Sequence, residues 1–221
     1  MPETADRLEY FWISGSPYAW RVALTLEVKG LVYDSRLLQS SRGDLKTPAF
    51  LALYPRGRVP TLRHGQVVLS ESIAIMAYLD RRFPTPPLFG TTPAETGLIW
   101  RAISECMCYF DGPVNAVANP IFEGATPPDW DIRLKVVHAE LARLEQGLNA
   151  REWLAAPTLS AADLATYPFV RFLLRAAAKA PPGLDLGLEP FAQKYPSIRR
   201  WEARIEALPG YDRTYPPHWR Q

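Results

Sequence analysis

The chain has 221 residues, of which 48% are hydrophobic and 22% are charged, and its formal net charge is +2. This composition is typical of a globular protein with a substantial core, and the length allows one large or two small domains. The small net charge gives no support for nucleic acid or an anionic membrane as a partner, and we expect neither. No run of about 18 apolar residues is present to span a bilayer.

Strand and helix patterns alternate over the first part of the chain. Residues 8–13 form an apolar, aromatic run of strand length, and Pro17 opens a helix that ends near Gly30, a natural C-cap. Residues 31–38 are a second predicted strand, and residues 48–53 are a short helix. A hairpin and a further helix follow, so the predicted order is β-α-β-α-β-β-α, a thioredoxin-like α/β layer.

The hairpin lies in the stretch RGRVPTLRHGQVVLSESIAI, residues 56–75. Pro60 stands at the entrance of a predicted strand, where it cannot donate a ladder hydrogen bond. Glu71 and Ser72 lie in the first turn of the next helix, where outward-pointing N–H groups favour an anion. Such a strand and helix start can together hold a zwitterionic peptide. An ordinary hairpin and capped helix, with Glu71 complementing the helix dipole, would show the same pattern.

A proline-rich stretch, PTPPLFGTTP, separates this region from a helical second part. Thr92-Pro93-Ala94-Glu95 has the pattern of a helix-capping box, and we expect a helix up to Gly112-Pro113 followed by a loop over residues 119–129. Helical periodicity recurs in three later segments, and no strand pattern follows residue 90. We therefore expect a first domain over residues 1–84, a linker over 85–93 and an all-helical domain over 94–221.

The two cysteines, Cys106 and Cys108, lie on different sides of a predicted helix and cannot pair with each other. We expect both to be small core residues, in keeping with a reducing cytoplasm. The polar N-terminal segment MPETADRLEY has no secretory-signal pattern, which also favours a cytoplasmic location. No CxxC, HExxH or Cys/His cluster is present, so we expect no metal cofactor.

The dipeptides Val59-Pro60 and Glu71-Ser72 match, in type and spacing, a pattern of the glutathione transferase family. In that family a thioredoxin-like first domain carries a cis-proline after Val or Ile and then a Glu/Gln-Ser pair. The second part is similar too, because SAADLATYP resembles the capping box of the family's buried helix, in which Asp163 would be a folding residue. YPSIRRWEARIEALPGY resembles the end of the family's chain. The resemblance implies the cytosolic glutathione transferase fold, a thioredoxin-like N-terminal domain followed by an all-helical C-terminal domain.

A transferase of this kind must ionise the thiol of glutathione, its co-substrate. A free thiol has a pKa of about 8.5, and lowering it by two units needs roughly 2.7 kcal/mol of preferential stabilisation of the anion. Ser16 precedes Val22 by six residues, as in the Ser-type classes, and is the expected hydrogen-bond donor to the sulfur. Ser14 is an alternative, and so is Tyr10, whose spacing to Arg21 fits the Tyr-type classes. Ser16 would otherwise be a plain helix cap.

The resemblance also implies how the rest of glutathione is held. Glu71 and Ser72 would take the γ-glutamyl amine and carboxylate, and Val59 would offer its backbone to the cysteinyl unit. Two cations are candidates for the glycine carboxylate, although solvated surface charges would show the same pattern. The expected glutathione-binding residues are Lys46, Arg58, Val59, Pro60, Glu71 and Ser72.

A small hydrophobic electrophile is the expected second substrate. By analogy its pocket would lie between the two domains, and core packing explains each candidate residue equally well. The candidates are Trp12, Ile13, Tyr18, Tyr109 and Phe110. We also expect a homodimer in which the first domain of one chain packs on the second domain of the other.

We interpret the sequence as a cytoplasmic, homodimeric, Ser-type glutathione transferase of theta- or zeta-like character, with a role in detoxification. One alternative is a glutathione-dependent isomerase of the maleylacetoacetate type. Such enzymes carry a Ser-Ser-Cys-x-Trp-Arg motif, of which this chain keeps Ser16, Trp20 and Arg21. The other alternative is a protein of the same fold that binds glutathione or another ligand without catalysis.

Overall fold

The computed structural model describes residues 7–220, which divide into two compact units. The first unit contains residues 7–87 and 208–220, and the second contains residues 88–207. The end of the chain therefore returns to the first unit, where the Trp20 indole donates to Thr214 Oγ1 at 2.8 Å and Arg213 pairs with Glu27. No pattern in the sequence indicated this return.

The first unit has the predicted β-α-β-α-β-β-α order. Its elements are β1 (Leu8–Trp12), α1 (Pro17–Val28), β2 (Tyr33–Leu37), α2 (Pro48–Leu53), β3 (Thr61–His64), β4 (Val67–Ser70) and α3 (Ser72–Arg82). The strands form one sheet in the order β2-β1-β3-β4, in which β1 is parallel to β2 and antiparallel to β3, and β3 is antiparallel to β4. This confirms the predicted thioredoxin-like layer.

Helix α1 is buried over almost its whole surface, because it packs against α3 and against the returning C-terminal segment. Its sequence, PYAWRVALTLEV, is accordingly apolar nearly all round, as expected of a helix without a solvent face. The segment that covers it includes the helix α10 (Tyr211–Thr214) and a 3-10 turn, Pro217–Trp219. Trp219 packs edge-on against Trp20, with ring centroids 5.5 Å apart. The start of α1 is thus held from the far end of the chain.

The second unit is helical, as predicted, and no strand occurs among the described residues after position 90. Its helices are α4 (Pro93–Glu105), α5 (Asp111–Glu123), α6 (Trp130–Asn149), α7 (Ala161–Ala177), α8 (Phe191–Lys194) and α9 (Pro196–Glu206), with a π-helical turn over Cys106–Phe110 between α4 and α5. Within residues 7–220, no helix is both long and apolar enough to cross a membrane.

The prediction that a helix stops at Gly112-Pro113 is wrong, because α5 runs on through both residues to Glu123. Pro113 lies in the first turn after the π-helical segment, where a missing N–H donor removes little. Pro120 also lies inside α5, and Arg133 Nη1 donates at 2.7 Å to Ala116, the carbonyl four residues earlier that Pro120 leaves without an N–H. The predicted loop over residues 119–129 shrinks accordingly.

Asp163 is a folding residue, as the capping-box pattern predicted. It is fully buried at the start of α7, and its carboxylate accepts from Ser160 N, Ser160 Oγ, Leu154 N and the Trp201 indole at 2.8–2.9 Å. Burial raises the pKa of this carboxyl, while the four donors oppose that shift. Of the two cysteines, Cys106 is buried, as predicted, but the prediction of a core position is wrong for Cys108, which is exposed.

Candidate active site

Ser16 lies at the N-terminus of α1 and is half-buried. Its backbone is extended, and its Oγ accepts a hydrogen bond from Ala19 N at 3.2 Å, so the residue is a helix cap. A serine hydroxyl has two lone pairs and one proton, and the cap uses only a lone pair. The proton is therefore available to an acceptor at a helix start, where the dipole and free N–H groups favour an anion.

Ser14 is engaged differently. Its Oγ lies 2.6 Å from Nδ1 of His218, a residue 204 positions later in the 3-10 turn near the end of the chain. Gly15, between the two serines, has φ +84 and so takes a conformation that glycine adopts without strain. Ser14 is thus in contact with a side chain, His218, that no local sequence pattern could have indicated.

The structure contradicts the Tyr10 alternative. Tyr10 lies in the middle of β1 with 1% of its surface exposed, and its hydroxyl donates to the Ala19 carbonyl at 2.6 Å. Burial raises the pKa of this hydroxyl well above its usual value. A phenol whose proton is used inside the core cannot also donate to a ligand sulfur, so Tyr10 is a packing residue.

Glu71 and Ser72 begin α3, as predicted, and Glu71 has an unusual backbone. With φ 67 and ψ 111, it is the only non-glycine residue at positive φ among residues 7–220, and its side chain makes no cap to the helix. Instead its Oε1 accepts from the Tyr54 hydroxyl at 2.9 Å. Strained backbone of this kind persists where the surrounding structure fixes it, and it clusters at ligand sites. The carboxylate is held beside the helix start, exposed to solvent.

Ser72 is buried, and its hydroxyl oxygen accepts a hydrogen bond of 3.4 Å from Arg21 Nη1. Arg21 belongs to α1 and is 1% exposed, with its guanidinium 5.3 Å from the centre of the Tyr18 ring. A buried, always-charged guanidinium beside the N-terminus of α3 adds positive charge where the dipole is already positive. The start of α3 thus offers a cation, a hydroxyl and backbone donors to an anion.

The remaining predicted glutathione-binding residues lie on the stretch that leads into β3. The Val59–Pro60 peptide bond is cis, as predicted, and Arg58 just before it is exposed. Lys46 is also exposed, and its Nζ lies 3.2 Å from the point that a Cβ on Gly57 would occupy. Lys46 therefore lies close to the residue before Arg58, which keeps both cations as candidates for one carboxylate.

The candidate residues for the electrophile pocket fall in both units. In the first, Trp12 donates its indole N–H to Ser35 Oγ at 2.8 Å, and Ile13 and Tyr18 are half-buried. In the second, Phe110 is buried and Tyr109 is 62% exposed, and both line a cavity of about 540 Å³ within that unit. The other residues of this lining include Arg101, Glu105, Cys106, Glu140, Arg143 and Leu144. A pocket shared by all five candidates stays a prediction.

Three side chains at the site escaped sequence reasoning as functional residues. Tyr54 and His218 contact Glu71 and Ser14, but each contact joins parts of the chain that only the fold brings together. In the sequence, Arg21 marks only the spacing to Tyr10 and one position of an incomplete motif. The sequence signal for a buried role is the charge of Arg21 inside a helix that is otherwise mostly apolar.

Comparison with known proteins agrees with the fold. Residues 15–82 match the family model "Glutathione S-transferase, N-terminal domain", and residues 120–209 match "Glutathione S-transferase, C-terminal domain". Glutathione S-transferase F10 of Arabidopsis thaliana is 30% identical over 169 residues, which cover 72% of this chain and 78% of that protein. The crystal structure of a glutathione S-transferase from the Antarctic clam Laternula elliptica superposes with a TM-score of 0.82 at 27% identity, over 97% of this chain and 94% of that one.

A maleylacetoacetate isomerase of Pseudomonas aeruginosa is also similar, at 29% identity over 217 residues, 95% of each chain. The two-unit fold and the two helix starts define a thioredoxin-like enzyme with an all-helical second unit. The chain belongs to the glutathione S-transferase family. Its activity is that of a glutathione transferase.

Proposed function

We propose that this chain binds glutathione at the starts of α1 and α3 and ionises its thiol with the help of the Ser16 hydroxyl. The observation that carries the proposal is the cap bond of Ser16, because its Oγ accepts from Ala19 N and so keeps its proton for the sulfur. Ser16 is a donor in this scheme and takes up no proton itself. The thiol loses its proton to solvent, and the thiolate then attacks an electrophilic carbon to form a C–S bond while the leaving group departs or a strained ring opens.

The γ-glutamyl end of glutathione is assigned to α3. Its α-carboxylate would accept from the N–H groups of the first turn and from the Ser72 hydroxyl, whose proton is available because Arg21 donates to the oxygen. Its α-ammonium group would pair with the Glu71 carboxylate, which Tyr54 holds through one oxygen and leaves accessible to solvent. The zwitterion thus meets an opposite charge at each end.

The rest of the tripeptide is assigned to the stretch before β3. Val59 precedes the cis-proline Pro60, and its backbone N–H and C=O are offered to the cysteinyl unit as a short β-addition. Lys46 and Arg58, both exposed, are the candidates for the glycine carboxylate. We expect that end of the ligand to contribute less affinity, because exposed ion pairs are typically worth only 0–1 kcal/mol.

The electrophile is assigned to a hydrophobic pocket that includes Trp12, Ile13, Tyr18, Tyr109 and Phe110. We further propose that the protein is cytoplasmic and has no metal cofactor.

We also propose a two-fold homodimer, which is supported by exposed apolar side chains in both units. Val67 and Val68 on the edge strand β4 are 41% and 38% exposed. In the second unit, Trp100 and Met107 are 40% and 48% exposed. Burial of such residues is a usual reason for association.

A second candidate activity is the isomerisation of maleylacetoacetate or a related substrate. It is favoured by the similarity to the bacterial isomerase over almost the whole chain. This chain keeps Ser16, Trp20 and Arg21 of the isomerase motif but has Pro17 and Tyr18 where the motif has its second serine and its cysteine. The transferase is therefore the principal assignment.

Binding to immobilised glutathione, followed by a panel of aryl halides, epoxides and maleylacetoacetate, tests the assignment. We expect elution with free glutathione and turnover of at least one aryl halide or epoxide, with Ser16→Ala retained on the matrix but slowed in turnover. Turnover of maleylacetoacetate alone would favour the isomerase. Failure of the wild-type protein to bind the matrix would contradict the glutathione site itself.

A further inference from the structure

The loop Ser14-Gly15-Ser16 is the part of the site nearest the reacting sulfur in the proposed function, and its first two residues are contacted by the end of the chain. His218 Nδ1 lies 2.6 Å from Ser14 Oγ. The same imidazole covers Gly15, since a Cβ built on that residue would lie 2.8 Å from His218 Cε1 and 3.3 Å from its Nε2. Any other residue at position 15 would therefore meet both an unfavourable φ and the imidazole.

The segment that carries His218 is itself anchored along α1. Arg213 pairs with Glu27 near the C-terminus of α1, Thr214 accepts from Trp20, and the Trp219 ring packs edge-on against Trp20. These contacts attach the C-terminal segment to α1 from the last turn of the helix to its first turn. His218 adds a further contact, to the Ser14-Gly15-Ser16 loop that precedes α1. The imidazole is therefore held in place independently of any ligand.

We infer that His218 is a positioning residue for thiol activation: it fixes the Ser14-Gly15-Ser16 loop so that the Ser16 hydroxyl proton points to the glutathione sulfur. This inference rests on the proposed function. Ser14 and Nδ1 share one hydrogen bond whichever of them donates, and that bond with the packing on Gly15 fixes the two residues before Ser16. His218 itself is not assigned any contact with glutathione.

The arrangement also separates the roles of the two serines. The Ser14 hydroxyl is already hydrogen-bonded to His218, whereas the Ser16 hydroxyl only accepts a bond from Ala19 N and keeps its own proton. A donor held in position before the reaction stabilises an anion better than one that must be oriented at that moment. Loss of the His218 contact should therefore weaken stabilisation of the thiolate more than it weakens binding of the peptide, because the γ-glutamyl and glycine ends are held elsewhere.

The test is an ultraviolet titration of the thiol of enzyme-bound glutathione, together with kcat and the dissociation constant for glutathione. His218→Leu and Ser14→Ala should each raise the thiol pKa by about half a unit to one unit, the size expected for one neutral hydrogen bond. At saturating glutathione and a pH below that pKa, kcat should fall about three- to tenfold, while the dissociation constant should change less than about twofold. The double variant should be no worse than either single one, since both remove the same bond.

His218→Asn is the matched rescue, because its side-chain amide can take the position of Nδ1 and restore the bond to Ser14; it should return the thiol pKa close to that of the wild type. Arg220→Ala is the control within the segment, since Arg220 contacts Asp212 and Tyr215 and not the loop. Unchanged thiol pKa in both His218→Leu and Ser14→Ala, with a lowered melting temperature, would overturn the inference and leave His218 as a structural residue. If Ser16→Ala shifts the thiol pKa in the same experiment, the proposed function stands without it. A wild-type complex with no thiolate absorbance would overturn both.

Discussion

The acidic side chains at three helix starts, α3 in the first unit and α4 and α7 in the second, are used in opposite ways. In the second unit, the Glu95 carboxylate of α4 accepts from Thr92 N and the Asp163 carboxylate of α7 accepts from Ser160 N, so each acid folds back onto its own helix start in a capping-box arrangement. In the first unit, the Glu71 side chain makes no cap on α3 and is bound by Tyr54 instead. A closed box satisfies up to two of the N–H groups at its helix start from within the chain, whereas an open start leaves those donors for a ligand.

Burial and hydrogen-bond partners distinguish an acid that stabilises the fold from an acid that binds a ligand. The carboxylate of Asp163 is fully buried and accepts four hydrogen bonds, so it stabilises the folded chain and is not accessible to a ligand. Glu71 is exposed, has one hydroxyl partner and lies in a strained backbone conformation, which a residue serving only the fold would have no reason to keep. Substitutions at closed starts should therefore change stability, and substitutions at open starts should change ligand affinity.

Asp163→Ala should give the largest effect. It leaves two backbone N–H groups and the Trp201 indole without their acceptor, at about 1 kcal/mol or more for each buried donor, so we expect at least about 3 kcal/mol of lost stability. Thermal unfolding should show this as a melting temperature lower by roughly 6–12 °C. Glu95→Ala, at the exposed capping box of α4, is the comparison variant and should lose less stability than Asp163→Ala. Equal losses would show that burial does not distinguish the two boxes.

Glu71→Ala and Ser72→Ala should weaken glutathione binding and leave the fold nearly intact. Each removes a charge-assisted hydrogen bond to the γ-glutamyl group, worth about 1.5–3 kcal/mol, so the dissociation constant should rise about tenfold or more. Isothermal titration calorimetry gives the affinity and thermal unfolding gives the stability. Glu95→Ala again serves as the control, because it removes an acid at a helix start outside the candidate site, and it should leave the glutathione affinity unchanged. Unchanged affinity in both α3 variants would move the ligand to another place.

Tyr54→Phe should have a smaller effect of the same kind. It removes the hydroxyl that orients Glu71, and one such hydrogen bond is worth about 1 kcal/mol, or about fivefold in the dissociation constant. The effect should disappear when Glu71 is already alanine, because Tyr54 acts only through it. Tyr33→Phe removes an equivalent bond, from Tyr33 to Glu27 at 2.8 Å, and should leave the affinity unchanged. Additive effects of the Tyr54 and Glu71 substitutions would contradict the positioning role.

Much of the fold could be predicted because its signals are local. The strand and helix order of the first unit, the capping boxes and the cis bond before Pro60 depend on patterns a few residues long or on a resemblance carried by such patterns. The helix through Gly112-Pro113 could not be predicted in this way. Its continuity depends on a π-helical turn and on a side chain, Arg133, from another helix.

The residues of the candidate site also divide into those with a local sequence signal and those that only the fold brings together. The position of Glu71 and Ser72 at a helix start is predictable because a helix-start pattern is local, and the structure has both residues there. His218 and Tyr54 were not found, because their contacts span 204 and 17 residues and leave no periodic trace in the sequence. Spacing alone leaves Tyr10 as an alternative donor, and only the buried hydrogen bond from its hydroxyl to the Ala19 carbonyl excludes it.

The pKa of the thiol of bound glutathione in Ser16→Ala tests the central claim most directly. If Ser16 donates to the sulfur, its loss costs about 1.5–3 kcal/mol and should raise that pKa by about one to two units, with slower turnover near neutral pH and little change in glutathione affinity. The loss of turnover should shrink at high pH, where the thiol ionises without help. Tyr10→Phe is the control and should leave the thiol pKa unchanged, because its hydroxyl is committed to Ala19. An unchanged thiol pKa in Ser16→Ala, or a shift in Tyr10→Phe alone, would contradict the account.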